Sequence, residues 1–419
     1  MTRWVKSAAA LSMLPLLWAA APVAADAAQP VRTAIEAGVP LPDDDPFYVP
    51  PAGFENSPNG TVLRSRPVNT VAIVLPITAT AHQVLYKSVD SHDKPVAEAA
   101  TVLIPLTPWK GAGPRPLVSY QLAEDSLATR CQPSYTLRVG IAAPTAASTY
   151  EITQSLAALA RNYAVVYSDY EGPHSDFAAG PQAAHGVLDG IRAVQHYAPA
   201  GLDPAGPVAL WGYSGGGQAT TWAAEQQASY APELNVVGAS AGGVPVDLKA
   251  FIKHNDGGLG AGLNLIGFIG LARAFPEAGI APLLNERGRA LFAASNDSCT
   301  LDVALAHPFS HLGDYTTILN PADSAPAELL YRINDLGKTT PRFPFYSYHG
   351  QNDEFVPLAP ADAVVRKYCA DGGTVAVSRI PFSGHLTTEF INGGPALDFL
   401  TDRFAGKPAR SDCGKLPPG

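Results

Sequence analysis

The chain has 419 residues, of which 16% are charged and 47% apolar, with a formal net charge of −9. That balance excludes a disordered chain, which is charge-rich and poor in apolar residues, and a nucleic-acid binder, which needs a basic face. The 38 glycines and 39 prolines exclude a coiled coil, and the length allows one large core or several domains.

The first 25 residues read as a secretory signal peptide. Arg3 and Lys6 make a positive start, Ala8 to Ala21 is apolar, and Val23-Ala24-Ala25 offers small residues for cleavage before Asp26. The apolar run is shorter than the ~20 residues of a membrane span, and Pro15 interrupts it. No later stretch reads as a stable span. Cleavage near Ala25 removes Arg3 and Lys6, takes the net charge to −11, and predicts a secreted protein, extracellular or periplasmic. In an oxidising compartment Cys131, Cys299, Cys369 and Cys413 are expected to form two disulfides, in any of three connectivities. None makes a C-x-x-C pair, so metal and redox chemistry are not expected.

Residues 26 to about 60 are rich in Pro, Asp and Gly and read as an extended lead-in. Thr70 to Pro76, His82 to Ser88 and Glu98 to Ile104 are rich in β-branched and aromatic residues and predict an antiparallel entry into a sheet. Arg115 to Gln121 is a further strand. Helical and strand patterns then alternate: Ser155 to Arg161 helical, Ala164 to Tyr167 strand, Gln182 to Tyr197 helical, Val208 to Trp211 strand, a helix through Tyr230, and Leu234 to Gly238 strand. Such alternation implies a mostly parallel sheet covered by helices. It stops over 249–340, a mostly helical block holding the apolar run Leu263 to Ala272, which reads as an inserted cap lining an apolar pocket. It resumes with Pro344 to His349, a helix over Pro360 to Tyr368, and Thr374 to Phe382. The expected organisation is therefore a signal peptide (1–25), a first core part (26–248), the cap (249–340) and a second core part with a C-terminal tail (341–419).

Gly212-Tyr213-Ser214-Gly215-Gly216 matches G-x-S-x-G. The spacing has a steric reason: the nucleophile sits on a strained strand-to-helix turn, where side chains two residues either side would collide with the neighbouring strand and helix. Gly238-Ala239-Ser240-Ala241-Gly242 matches as well. Ser214 follows a strand and opens a helix. Ser240 is followed by Gly243 and Pro245, leaves no room for a helix, and reads as a packed loop. A serine needs a base, and in this arrangement the partners follow in the order Ser, acid, His. Asp353 lies in the exit loop of a strand and His385 just past the next one, at the sheet edge of Ser214, where open α/β sheets bind ligands. Glu354 competes with Asp353. His349 reads as packed at a strand end, and His254, His307 and His311 fall in the cap. One oxyanion donor is expected to be the Gly215 N–H, the second a group from the loop Leu122 to Ser126. Glu124 and Asp125 in that loop would equally suit a helix start.

Together, DPFYVPP near residue 45, VSYQLAEDS at 118–126, CQPSY at 131–135, SDYEGP at 168–173, GYSGGGQAT at 212–220, SYAPELNVVGAS at 229–240, NDEFVP at 352–357 and SGHLTTE at 383–389 resemble the secretory lipase family of α/β-hydrolases. The resemblance runs from about Asp45 to the C-terminus. It implies Ser214, Asp353 and His385 as catalytic residues, Asp125 beside Gly215 at the oxyanion hole, a helical lid over an acyl pocket, and Cys131–Cys299 and Cys369–Cys413 as disulfides. Gly217 departs from the pattern by making three glycines after Ser214, which would loosen the first helical turn.

The expected function is hydrolysis of carboxylic esters of lipids, a triacylglycerol lipase or esterase working through an acyl-serine, with a lipid or ester partner and a lipid–water interface as its setting. The alternatives are a short-chain carboxylesterase, an acyltransferase, a peptidase, or a non-catalytic binding module. No cofactor or metal is implied, because Gly258-Leu259-Gly260-Ala261-Gly262 lacks the preceding strand of a dinucleotide site and no H-E-x-x-H occurs.

Overall fold

The computed structural model describes residues 38–415. The signal-peptide reading lies outside the described residues. The visible part of the lead-in is built from short 3-10 turns at Pro42–Asp44, Pro46–Tyr48 and Phe54–Asn56, the first two opened by proline, rather than from extended chain. Phe47 anchors it against Leu85, Ala97 and Ala99.

The chain then forms β1 (Val62–Pro67), a separate two-stranded hairpin of β2 (Val71–Ala72) and β3 (Leu75–Pro76), β4 (Thr80–Val89) and β5 (Pro95–Ile104). Alternation follows: β6 (Leu117–Gln121), α1 (Pro133–Val139), α2 (Ser148–Ala160), β7 (Ala164–Ser168), α3 (Gly180–His196), β8 (Val208–Tyr213), α4 (Ser214–Tyr230) and β9 (Val236–Gly242). Five helices come before the next strand: α5 (Leu248–Asn255), α6 (Ala261–Ala274), α7 (Glu286–Ser295), α8 (Thr300–Ala306) and α9 (Ala325–Asn334). The chain finishes with β10 (Phe345–Gly350), α10 (Leu358–Ala370), β11 (Val375–Ile380) and α11 (His385–Phe404).

Nine strands form one sheet in the order β1-β4-β5-β7-β6-β8-β9-β10-β11. The six from β7 to β11 run parallel, while β5, β4 and β1 add antiparallel at one end. Both faces are covered, so the central strands are apolar on both sides. Val208 and Leu210 of β8 pack with Val187, Ile191 and Ala223 of α3 and α4. Ala209, Trp211 and Tyr213 point to the other face, with Ile152 of α2 and Leu397 and Leu400 of α11. A separate apolar cluster within the cap helices includes Leu265, Ile266, Ile269 and Leu330, and reaches the core through Leu127 and Ala179.

Three expectations need correction. Thr70 to Pro76 is a hairpin and not a sheet strand, because Ile73 turns the chain at φ 58° and Leu75 and Pro76 stay exposed. Ser240 lies inside β9 rather than in a loop. It is fully buried, and its hydroxyl donates to the Ala396 carbonyl at 3.2 Å. Gly217 does not leave its turn loose: it is buried in α4, and a Cβ there would stand 2.7 Å from the Gly242 carbonyl oxygen, so glycine lets α4 lie close against the end of β9.

Candidate active site

Ser214 occupies the junction of β8 and α4 with φ 53°, a left-handed backbone that a β-bearing residue adopts only under constraint. The constraint comes from both sides. A Cβ on Gly212 would lie 2.3 Å from the Gly216 carbonyl oxygen, and one on Gly216 would lie 2.0 Å from that of Gln121 in β6. Only glycine fits at either position, as the motif's steric logic requires.

His385 opens α11 and reaches Ser214 Oγ with Nε2 at 2.8 Å. Its Nδ1 lies 2.7 Å from Asp353 Oδ2. A carboxylate can only accept here, so Nδ1 carries the proton and Nε2 is free to accept from the serine hydroxyl. Asp353 sits in the loop after β10. Its Oδ1 accepts from the Phe355 and Val356 N–H groups at 3.0 and 2.8 Å. Burial alone would raise its pKa. The hydrogen bonds of His349 and His385, the charge of His385 and the Val356 N–H outweigh burial and hold it well below the ordinary carboxylate range.

Two groups named in the sequence reading stand beside these three, in contacts it did not foresee; His349 is packed at a strand end, as expected. His349, fully buried at the end of β10, donates from Nε2 to the Val356 carbonyl at 3.0 Å and approaches Asp353 Oδ2 at 3.3 Å. Glu354, the competing acid, faces the backbone instead: its Oε2 accepts from the His385 N–H at 2.9 Å, anchoring the start of α11. His254 bonds the Glu354 carbonyl, His311 pairs with Asp256, and His307 meets Tyr315, so no cap histidine is hydrogen-bonded to Ser214.

The loop 122–126 is held by buried acids and begins no helix. Glu151 accepts from the Ala123 N–H at 2.5 Å, Glu124 from the Tyr170 N–H at 3.0 Å, and Glu171 from the Ser126 N–H and hydroxyl. Asp125 stands among them at φ 43°. Its carboxyl lies directly against Gly215, and burial raises its pKa to about 7 despite the opposing charge of His385. Its N–H donates to no protein atom among the described residues. The Gly215 N–H lies in the first turn of α4, where helix donors have no intrahelical carbonyl. From the cap, the Thr300 hydroxyl contacts the Glu124 and Asp125 carbonyls, each at 3.0 Å. Beside it, Leu127 N–H donates to the Ser298 carbonyl, and Cys131 is bonded to Cys299. The second disulfide joins Cys369 to Cys413.

Ser214, Gly215 and Asp125 open on a cleft of about 600 Å³, open solvent at its mouth included. Phe251, Ile252, Leu263, Phe268 and Leu271 of α5 and α6 supply its apolar wall, with Phe177 and Phe355. Outside it, Phe382 is 97% exposed, and Leu386, Phe390 and Ile391 of α11 also face solvent. No helix among the described residues is long and apolar enough to cross a membrane. This arrangement can activate a hydroxyl, collect negative charge at two N–H groups, and hold an apolar chain.

Comparison with known proteins gives a consistent result. The family described as secretory lipase matches residues 137–412. The chain is 37% identical over 415 residues to lipase A of Moesziomyces aphidis, covering 94% of this chain and 87% of that one. It is also 37% identical over 378 residues, 88% and 83% of the two lengths, to a Mycobacterium tuberculosis protein named a probable inactive lipase. Among solved structures, Candida antarctica lipase A superposes with a TM-score of 0.83 at 35% identity, over 91% of this chain and 90% of that one. A rice cell wall degrading esterase of Xanthomonas oryzae, at 17% identity and a TM-score of 0.65 over 84% of this chain and all of its own, shares the α/β fold alone.

Proposed function

The chain belongs to the secretory lipase family of α/β-hydrolases, and from that premise we propose that it is an exported serine hydrolase cleaving carboxylic esters of lipids through an acyl-serine. The observation that carries the proposal is the unbroken relay from Ser214 through His385 to Asp353 at the head of an apolar cleft. Ser214 Oγ attacks the ester carbonyl while His385 Nε2 takes its proton. The tetrahedral oxyanion is met by the N–H groups of Gly215 and Asp125. His385 then gives the proton to the departing alcohol, leaving Ser214 acylated. Water repeats the sequence, its proton passing to His385 and then to Ser214 as the acid leaves. Asp353, kept ionised, holds the imidazole in one tautomer and stabilises its charged form.

The lipid reading rests on the apolar cleft wall and on the exposed Phe382, Leu386, Phe390 and Ile391 beside His385. Export is supported by the family's secretory description, by the two disulfides, and by the residues that precede Asp26. A second reading, a catalytically silent relative, is raised by the name of one similar protein. The experiment that separates the two is hydrolysis of p-nitrophenyl esters of rising acyl length by the wild type and Ser214→Ala, with fluorophosphonate labelling. Labelling of Ser214 and turnover lost in the variant are expected. An unlabelled serine, or equal rates in the two proteins, overturns the proposal. A preference confined to acetyl esters would narrow it to a short-chain esterase.

A further inference from the structure

His385 meets a second carboxylate besides that of Asp353. It is the first residue of α11, a helix of 20 residues. The positive end of a helix disfavours a cation beside it, so α11 works against the imidazolium that His385 must become. Gly384, at the N-cap, has no side chain to relieve this. Glu354 caps the helix instead, from the loop after β10: its Oε2 accepts from the His385 N–H at 2.9 Å. A side chain on Gly384 would crowd that oxygen, its Cβ standing 2.5 Å away. The loop itself does not need the Glu354 side chain. Asp353 Oδ1 already holds the Phe355 and Val356 N–H groups, and His254 of the cap donates to the Glu354 carbonyl at 3.1 Å. The other groups facing His385 are Asp353 at Nδ1, Ser214 at Nε2, the Phe355 ring, and Tyr213, whose hydroxyl donates to the His385 carbonyl at 2.7 Å. Asp125 and Glu389 feel its charge, and burial raises each to about 7. All of these remain when Glu354 alone is changed.

We propose that Glu354 is a positioning residue for the ester hydrolysis: its carboxylate offsets the positive end of α11 and stabilises the imidazolium formed whenever His385 holds the Ser214 proton. The inference rests on the ester-hydrolase reading. It adds to Ser214, His385 and Asp353 a second carboxylate, one that engages the backbone of the base rather than its ring. Glu354 is exposed, so its influence is modest and is screened by salt.

The test separates charge from anchorage. Glu354→Gln keeps an acceptor for the His385 N–H and removes the charge, while Glu354→Ala removes both. For the wild type and the two variants, kcat/KM on a soluble p-nitrophenyl ester is measured against pH at low ionic strength. The acid limb of that profile reports protonation of the base in the free enzyme. In Glu354→Gln the limb is expected roughly 0.2–0.7 pH unit lower than in the wild type, because the imidazolium forms less readily, and the plateau roughly two- to fivefold down. Glu354→Ala is expected to show at least that shift and a lower plateau still. The gap between wild type and Glu354→Gln should narrow as salt rises from about 0.01 to about 1 M. If the limb of Glu354→Gln coincides with that of the wild type or moves to higher pH, the inference falls, whatever the plateau and the melting temperature do. Glu354 is then only an anchor for α11, and the ester-hydrolase reading stands. If the wild type hydrolyses no ester, both fall.

Discussion

Replacing Gly215 by alanine tests how closely the proposed oxyanion hole is fitted. An alanine Cβ would lie 1.7 Å from Asp125 Oδ1 and 2.7 Å from its Cγ, so the carboxyl must retreat by about 1.7 Å to reach an ordinary contact of 3.4 Å. The loop backbone has little room to follow, because Glu151 and Glu171 hold Ala123 and Ser126 and Thr300 holds the Glu124 and Asp125 carbonyls. Whatever part of the retreat the buried carboxyl does not take up by rotating strains the Asp125 backbone and its N–H. An oxyanion donor works within about 2.7–3.1 Å of the developing charge, and losing one typically costs about 10²–10³ in kcat, or roughly 3–4 kcal/mol. Gly215→Ala is expected to lower kcat about a hundredfold with KM nearly unchanged, since this interaction strengthens only in the transition state. Steady-state kinetics on a soluble ester, with a crystal structure of the variant, measure both quantities. A kcat within about threefold of wild type, or a rise in KM alone, would refute the reasoning.

Thr300→Val removes the hydroxyl that meets the Glu124 and Asp125 carbonyls. It should lower kcat about tenfold and stability by about 1–2 kcal/mol, with Thr300→Ser restoring both; kinetics and thermal melting of the pair check this. Stability should fall as pH rises from about 4 to 7. Burial raises Asp125 and Asp169 to about 7 in the folded protein, so in that window the folded state binds more protons than the unfolded chain. Each such site contributes up to about 1.4 kcal/mol per pH unit. Calorimetry showing a melting temperature that climbs over that range would contradict this. Asp353 acts in the opposite sense, and its contribution is lost only at lower pH, because its folded-state value is depressed. Removing Cys131–Cys299, which spans 168 residues of sequence, should cost about 1 kcal/mol more than removing Cys369–Cys413, which spans 44, as denaturant titrations of the serine variants would show.

The parts of this fold that sequence makes legible are those set by local pattern. The alternation from Leu117 onward, the glycines flanking Ser214, and the order of Ser214, Asp353 and His385 all express short-range rules of period, sterics and connection. What escaped depends on contacts between distant segments. His349 reads as one more buried histidine until β10 and the Asp353 loop fold back on each other. Glu354 looks like a rival of Asp353 until α11 sets the His385 N–H against it. Glu171 and Thr300 brace the same five-residue loop from elements 45 and about 175 residues away. Ser240 misled because the proline that forbids a helix at Pro245 leaves β9 free to continue to Gly242. Thr70 to Pro76 misled because β-branched composition records a preference for pleated backbone, while membership of a sheet needs a neighbour.

The tether between the cap and the loop of Asp125 has a mechanical consequence. Thr300 fastens the start of α8 to that loop by two polar contacts, and the Ser298 carbonyl and Cys299 fasten it to Leu127 and Cys131 just beyond by a hydrogen bond and a disulfide. A cap secured there behaves as a door whose hinge is already chosen. Arg273 of α6 adds to this mooring by donating to the Leu127, His174 and Ser175 carbonyls, so a widening that admits a bulky lipid falls to the end of α5, where the side chains of His254 and Asn255 meet the Glu354 and Phe355 carbonyls. On the proposed mechanism, entry of a substrate would pull on the segment that carries Asp353, while the loop of Asp125, moored to the cap, would keep its shape.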